Sequence, residues 1–362
     1  MLKGKTVLLC VSGSIAAYKI ANLARMLTKE NCTVHVLMTQ NATNFINPIT
    51  FETLTSHKCL VDTFDRNFEY SVEHVALAMA ADLVLSAPAM NHNMFHNPIV
   101  QDNIKKLQHY GYEIVSPERG RLANGDIGDG RMCEEGLLFE HILRHIAKPK
   151  DLTGKKVLIT AGATMEAIDP VRYITNHSTG KMGTAIAYAA MQRGADVTLV
   201  AAHMEVAPPP FVEVVNVASA KEMAEAVLSR SADMDIVIKS AAVADYTPKT
   251  VADEKIKKSD GDMSIELERT QDILAALGSQ KKQGQIICGF SMETSNLLEN
   301  SRAKLEKKNA DIIAANCLKT EGAGFGVDTN VLTLISRNEV VELPKMSKHE
   351  AADKLLDFIL NL

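Results

Sequence analysis

The sequence predicts an α/β protein built from two doubly wound, mainly parallel-sheet domains in tandem. Three observations carry this expectation. A chain of 362 residues is long for one hydrophobic core. It also begins the same way twice: Lys3-Gly-Lys-Thr-Val-Leu-Leu-Cys-Val-Ser-Gly-Ser14 and Thr153-Gly-Lys-Lys-Val-Leu-Ile-Thr-Ala-Gly-Ala-Thr164 each pass from a polar lead-in through an apolar run into a glycine loop. Each is the natural opening of a doubly wound domain, with a first strand buried on both faces and a loop turned to a ligand. Finally, apolar runs of strand length alternate with helical patterns throughout.

In the first half, strands are predicted near 5–10, 33–38, 82–86 and 112–115, and helices over about 15–29, 72–80, 99–109 and 137–146. The polar, proline-bearing stretch from Ala147 to Thr153 divides the chain. The predicted domains are therefore 1–147 and 154–362, joined by a linker at 148–153. The second half offers strands near 156–160, 196–200, 235–239, 285–289 and 311–314 and a closing β segment near 331–342. Its helices are predicted at 181–193, 220–230, 271–279, 296–308 and 348–360.

Apolar residues make up 46% of the chain and charged residues 23%, the balance of a soluble globular protein. A net charge of −5 provides no electrostatic footprint for nucleic acid. No run of 18 apolar residues and no signal-peptide layout is present, so no membrane association is expected. The six cysteines include no Cys-x-x-Cys pair and read as reduced thiols of a cytoplasmic protein.

The most particular stretch is Asp169-Pro-Val-Arg-Tyr-Ile-Thr-Asn-His-Ser-Thr-Gly-Lys-Met-Gly183, between a predicted strand and a predicted helix. A helix start turns backbone N–H groups toward an anion, and Arg172, Asn176, Ser178, Thr179 and Lys181 add polar side chains. It is not a Walker A loop, because Thr175 stands where a glycine is required and Met182 where Ser or Thr follows the lysine. Lys239-Ser-Ala-Ala-Val-Ala-Asp-Tyr246 ends a strand with small residues and an acid. Glu254-Lys-Ile-Lys-Lys258 is either a solvated basic turn or part of a polyphosphate clamp. Lys304 and Lys308 share one helix face, turned to a ligand or to solvent. Phe290 stacks on a base or fills the core, and Asn176 serves chemistry or caps a helix.

With Gly289-Phe-Ser-Met-Glu-Thr294 and Lys308-Asn-Ala-Asp-Ile-Ile-Ala-Ala-Asn316, these stretches resemble the phosphopantothenate–cysteine ligase domain of the bacterial bifunctional coenzyme A biosynthesis proteins. The resemblance covers 151–362. It implies that 4′-phosphopantothenate attacks the α-phosphate of CTP, releasing pyrophosphate, and that the amine of cysteine then displaces CMP from the acyl-cytidylate. Lys255 and Mg²⁺ would stabilise charge at phosphorus, while Asn176 would hold the mixed anhydride. The implied nucleotide contacts are Lys239, Ser240, Ala241, Asp245, Lys255, Gln271, Asp272, Ile273, Leu274, Phe290, Lys304 and Lys308.

In the first half, Val11-Ser-Gly-Ser-Ile-Ala-Ala-Tyr-Lys19 suits a phosphate but is common in α/β domains. Pro88-Ala-Met-Asn-His-Asn-Met94 and Gly125-Asp-Ile-Gly-Asp-Gly-Arg-Met132 are more particular. Together with His74 in Glu73-His-Val-Ala-Leu77, they resemble the FMN-dependent phosphopantothenoylcysteine decarboxylase domain. The resemblance implies His74 as a proton-handling or positioning base and Asn91 as the holder of the substrate carboxylate. Ser12, Gly13, Ser14 and Thr39 would bind the FMN phosphate. Read alone, His74 is an ordinary histidine on an apolar helix. His92 and His96 have the i, i+4 spacing of metal ligands, with no third ligand evident.

Two features depart from that family. Ala81-Asp-Leu-Val-Leu-Ser-Ala-Pro-Ala-Met-Asn91 fuses two Pro-Ala segments, so a βα unit of roughly 30 residues is missing near 88–90. Asn124 stands where the family carries the cysteine that returns a proton to the enethiol, and an amide has no comparably acidic proton. Three readings stay open: a bifunctional enzyme; a ligase with an inactive or stalled decarboxylase half; and a ligase whose first half is a flavin-binding or oligomerisation module. The family also implies a homo-oligomer, with trimeric decarboxylase and dimeric ligase domains.

Overall fold

The computed structural model describes residues 1–62, 73–257, 262–293, 295–317, 322 and 324–362, without the side chains of Glu73 and His74. Lys258 of the lysine segment lies outside the described residues. The chain divides into two compact units, Met1–Pro149 and Lys150–Leu362.

The first unit comprises β1 (Thr6–Val11), α1 (Ala17–Lys29), β2 (Thr33–Met38), α2 (Pro48–Thr55), α3 (Glu73–Ala80), β3 (Leu85–Ser86), α4 (His92–Phe95), α5 (Pro98–His109), β4 (Glu113–Ile114), β5 (Glu118–Arg121), β6 (Ile127–Arg131) and α6 (Glu135–Ile146). Two helices start with the same device: Asn47 and Asn97 accept the N–H of Ile49 and Ile99, and Pro48 and Pro98 fill the first turn, where no N–H is needed. α1 buries Leu23, Ala24 and Leu27 on one face, and α6 buries Leu138, Ile142, Leu143 and Ile146.

Among the described residues the β structure of this unit is three separate pairs: β1–β2 and β3–β4 are parallel, and β5–β6 is an antiparallel hairpin. β1 was expected to be buried on both faces. Instead its side chains alternate between buried Val7, Leu9 and Val11 and more accessible Thr6, Leu8 and Cys10, the last exposed. The strand expected at 82–86 shrinks to Leu85–Ser86.

The second unit contains β7 (Lys156–Ala161), β8 (Glu166–Ala167), β9 (Tyr173–Ile174), α7 (Lys181–Gln192), β10 (Asp196–Ala201), β11 (Glu213–Asn216), α8 (Ala220–Ser231), β12 (Ile236–Lys239), β13 (Tyr246–Pro248), β14 (Leu267–Arg269), α9 (Ile273–Ser279), β15 (Ile286–Glu293), α10 (Leu297–Lys307), β16 (Ile312–Cys317), β17 (Thr329–Asn330), β18 (Thr333–Ser336), β19 (Val340–Glu342), β20 (Met346–Ser347) and α11 (Lys348–Leu360). Its eight-stranded sheet runs β11-β10-β7-β12-β15-β16-β18-β19. The strands from β11 to β16 are parallel, and β18 and β19 close the edge antiparallel. Numbered in chain order, the parallel strands follow 3-2-1-4-5-6, the doubly wound order with its reversal between β7 and β12.

Both faces of this sheet are covered. Ile159, Leu199 and Ile238 pack with Ile186 of α7 and Leu355 of α11. Their neighbours Leu158, Val200 and Val237 pack with Met223 of α8 and Leu305 of α10. Each such aliphatic side chain contributes about 1.5–3 kcal/mol by leaving water, so the rigid centre of the unit lies under the reversal point.

Candidate active site

At the reversal point the C-terminal ends of β7 and β12 are tied together. Thr160 Oγ1 accepts the N–H of Ala241 at 3.0 Å, Thr164 Oγ1 accepts that of Ala244 at 3.0 Å, and the N–H of Ala242 donates to the carbonyl of Gly162 at 2.9 Å. The loop 175–180 closes over this seam. Asn176 Nδ2 donates to the Ala242 carbonyl at 2.7 Å, and its Oδ1 accepts the N–H of Ser178 at 3.0 Å. Asn176 therefore does not cap α7: that position belongs to Gly180, which makes no side-chain cap bond. The uncapped first turn leaves N–H groups for an anion. Gly183 sets how closely α7 approaches β7, since a Cβ there would stand 2.6 Å from Ala161 Cβ and 2.9 Å from the Thr160 carbonyl oxygen.

These elements enclose a cavity lined by Ser178, Thr179, Gly180, Ser240, Ala241, Phe290 and Lys348, among others. Ser240 Oγ is buried and has no hydrogen-bond partner among the described residues. A buried hydroxyl left unmatched costs about 1–3 kcal/mol, so its place on a cavity wall points to a ligand. Phe290 lines the cavity and packs against the core.

A charged cluster adjoins this seam. Lys239 ends β12, and burial lowers its pKa; Asp272 and Asp245 oppose that shift, whereas Lys304 and Lys308 add to it. Lys308 Nζ donates to Asp272 Oδ2. Asp272 also caps α9, accepting the N–H of Ala275 at 2.9 Å. Lys304 Nζ donates to Ser291 Oγ at 2.8 Å and to Glu293 Oε1 at 2.9 Å. Burial pushes the Glu293 carboxyl up, but hydrogen bonds from Ser291, Lys304 and Asn300 hold its pKa below the ordinary value. Asp245 and Gln271 are exposed, and Ala241 is buried. Ile273 and Leu274 turn their side chains into the core, so only their backbone is available to a ligand.

Lys255 is exposed on a segment anchored by one carboxylate. Asp169 Oδ2 accepts the N–H of Ile256 at 3.1 Å and Arg172 Nε at 3.0 Å, and Oδ1 accepts the N–H groups of Val171 and Arg172 at 2.9 and 2.8 Å. Arg172 Nη2 in turn donates to the Ile256 carbonyl at 2.9 Å. The Arg172 guanidinium holds the Asp169 carboxyl well below the usual carboxylate range, and burial opposes it. The loop bearing Asn176 and the segment bearing Lys255 thus share one fastening.

Three residues here were not singled out from sequence. Glu293 lay in a quoted motif, but its partners are on α10. Asp169 opened a quoted segment, but its partner Ile256 lies far along the chain. Lys348 is buried, donates to the carbonyls of Gly324 (3.3 Å), Val327 and Thr329 (3.2 Å), and has its pKa lowered by burial. Nothing local in the sequence marks it, because its partners belong to a loop some twenty residues earlier.

In the first unit, Ser12, Gly13 and Ser14 follow β1 and Thr39 follows β2, so the parallel pairing sets them at neighbouring strand ends. Ser14 Oγ accepts the N–H of Ala16 at 3.2 Å, and Thr39 Oγ1 accepts that of Ala42 at 3.3 Å. α1 begins without a side-chain cap. His74 lies on α3, but its side chain is outside the described residues. Asn91 caps α4, its Oδ1 accepting the N–H of Asn93 at 2.9 Å.

The two particular segments of this unit meet. The N–H of Met90 donates to the Gly130 carbonyl at 2.9 Å, and Gly130, at φ 143°, has no room for a Cβ, which would stand 2.1 Å from the Met90 oxygen. His92 and His96 do find a third group, Asp129 of the hairpin. It is held by hydrogen bonds, His96 Nε2 to Asp129 Oδ2 at 3.0 Å and the N–H of Asp129 to His92 Nδ1 at 3.1 Å. Asn124 sits at the hairpin tip, donating to Asp126 Oδ2 at 2.6 Å. Cys133 is buried, and burial with Glu118 pushes its thiol up to about 11, unsuited to proton delivery.

Comparison with known proteins agrees across both units. The family model described as DNA/pantothenate metabolism flavoprotein C-terminal domain matches residues 152–362. The model described as Flavoprotein matches 1–89 and 83–147. The coenzyme A biosynthesis bifunctional protein CoaBC of Bacillus subtilis (strain 168) is 42% identical over 399 residues, covering 100% of this chain and 98% of its own. Its Escherichia coli (strain K12) counterpart is 37% identical over 395 residues, covering 99% and 97%. The crystal structure of the C-terminal domain of a CoaBC protein is 46% identical, with a TM-score of 0.50 over 57% of this chain and 95% of that one. Set against 362 residues here, the 399 aligned positions with the Bacillus protein leave at least 37 without a counterpart in this chain. The chain belongs to the family of bifunctional coenzyme A biosynthesis proteins, enzymes that join a flavoprotein decarboxylase half to a phosphopantothenate–cysteine ligase half.

Proposed function

We propose that the second unit condenses 4′-phosphopantothenate with cysteine using CTP, with the reaction centred on the crevice between β7 and β12. The observation that carries this reading is the buried, unpartnered hydroxyl of Ser240 facing the uncapped start of α7. An oxyanion at that point receives a hydroxyl and helix N–H groups together. The carboxylate of phosphopantothenate attacks the α-phosphorus of CTP; a P–O bond forms, and the bond to the β-phosphate oxygen breaks to release pyrophosphate. The amine of cysteine then attacks the acyl carbon, CMP leaves, and the amine loses a proton.

Lys239, Lys304 and Lys308 supply cationic charge for the triphosphate, Lys255 balances charge growing at phosphorus, and Asn176 holds the acyl phosphate by its amide. Mg²⁺ takes carboxylate and phosphate oxygens, and Asp245, exposed beside Lys239, fits such an ion. Bound there, it would neutralise triphosphate charge. The test is a product assay: the chain with CTP, Mg²⁺, phosphopantothenate and cysteine should release CMP and pyrophosphate in equal amounts. With cysteine omitted, a burst of pyrophosphate without free CMP is expected. Failure to consume CTP under the full set of substrates would refute the reading.

For the first unit, the family activity is FMN-dependent decarboxylation of 4′-phosphopantothenoylcysteine. Ser12, Ser14, Thr39 and the uncapped start of α1 fit the FMN phosphate, and FMN, when bound, supplies two-electron chemistry. Asn91 would hold the substrate carboxylate. The Asn124 amide has no acidic proton to return and Cys133 is too weak an acid, which favours a half that binds flavin but stalls before product. The family model's two overlapping matches at 83–89 support one strand standing where relatives have two. A yellow protein that releases at most one equivalent of CO₂ per flavin from phosphopantothenoylcysteine would support this; sustained CO₂ release would overturn it.

A further inference from the structure

His141 and His145 stand one helical turn apart on α6 and share a face. Glu113, which opens β4, faces both. Its Oε1 lies 3.5 Å from His141 Nδ1 and 3.6 Å from His145 Nε2, and one ligand atom from each residue falls within 4.8 Å of the others. Both separations are long for charge-assisted hydrogen bonds, which run about 2.7–2.9 Å. They are close to the edge of a tetrahedron with metal–ligand bonds of about 2.0–2.1 Å, which is roughly 3.3–3.4 Å. The side chains are partly enclosed, with exposures of 12% for His141, 32% for His145 and 36% for Glu113. His145 Nε2 is itself buried with no hydrogen-bond partner among the described residues.

The contrast with His92, His96 and Asp129 is instructive. There His92 Nδ1 already accepts the backbone N–H of Asp129 at 3.1 Å and His96 Nε2 lies 3.0 Å from Asp129 Oδ2, so both imidazoles are engaged in hydrogen bonds. At Glu113 the separations are longer.

We propose that Glu113, His141 and His145 form a binding site for a divalent transition ion of the zinc class. Two imidazole nitrogens and one carboxylate oxygen suit zinc, cobalt(II) or nickel(II), and disfavour calcium and magnesium, which take oxygen ligands. A fourth ligand would be a water molecule. The site clips α6 to β4, a strand of two residues that among the described residues pairs only with the two-residue β3. A structural role therefore fits better than a catalytic one.

The test uses the full chain stripped of metal by chelator and titrated with zinc chloride alone. One equivalent is expected to bind and to raise the midpoint of thermal unfolding, and cobalt(II) is expected to give the intense visible bands of tetrahedral coordination. Glu113→Gln and His145→Ala should each weaken zinc binding at least tenfold and abolish the thermal shift, whereas His92→Ala should change neither. If His145→Ala fails to fold, His145→Gln, which keeps the helix and the side-chain volume, reads the same quantity. Absence of zinc binding, one equivalent retained at unchanged affinity in both Glu113→Gln and the His145 variant, or loss of binding in His92→Ala would overturn the proposal.

Discussion

The two units open with nearly the same words and end in different states. β1 and β7 are each six-residue strands followed by a glycine loop, yet β7 buries all but its first residue while β1 alternates and exposes Cys10. β7 has hydrogen-bonded neighbours on both sides and helices on both faces. Among the described residues β1 is paired on one side only. The motif specifies a strand and a turn; the number of βα repeats around it decides whether that turn becomes a walled cavity. In the second unit it does, and a buried hydroxyl is left pointing into it. In the first, the equivalent serines lie at an open strand end.

Breaking the complete site should have the largest effect. Lys255→Gln is expected to slow pyrophosphate release about 10²–10³-fold, the usual toll of removing one group aimed at developing charge. Asn176→Asp should instead leave the first-turnover burst of pyrophosphate near the parent rate and trap acyl-cytidylate, detectable by mass spectrometry after acid quench. An unchanged rate in the first variant would remove Lys255 from the chemistry.

Next comes Asp169→Asn. Both carboxylate oxygens accept N–H groups, so an amide must turn an NH₂ toward a donor and release either the loop or the lysine segment. Both half-reactions should fall together, by about 10–100-fold, as expected when reacting groups are displaced by about an ångström. Burst and steady-state phases measured on one sample distinguish this from a defect in a single step.

A smaller effect is expected from pH. Lys239 has a lowered pKa, so its charge, present at low pH, is lost as pH rises through a value below that of a free lysine. kcat/KM for CTP should decline on the alkaline side earlier than an ordinary lysine would dictate, and Lys239→Arg, which does not titrate there, should flatten the limb. The smallest effect sharpens the comparison from the other side: Asn124→Cys alone should not restore sustained CO₂ release, because the thiol would sit on a hairpin tip beside a sheet that stays short. Full decarboxylation from that single change would show that the shortened sheet is no obstacle.

The legible parts of the fold were those where burial writes a pattern. The strands at 156–161 and 196–201 and the helices α7 and α11 fall where the apolar runs and the helical spacing put them. The hairpin β5–β6 was invisible because Glu118-Arg-Gly-Arg121 and Ile127-Gly-Asp-Gly-Arg131 alternate charge with glycine rather than with apolar side chains. At the site, the lysines and Asn176 could be named from their motifs. Glu293, Lys348 and the third group beside His92 and His96 could not, since each acquires its meaning from a segment distant in sequence. Asp272 was named as a nucleotide contact but is also a helix cap, a second duty that the residue type alone does not reveal.

The carboxylate of Asp169 has a consequence for how such a chain can change over time. Because it grips two segments more than eighty positions apart, an insertion in either one alters the tension on the other. Loop lengths that drift freely in most enzymes are here obliged to drift in concert, and a chain that lost this residue would have to reinvent two loops at once.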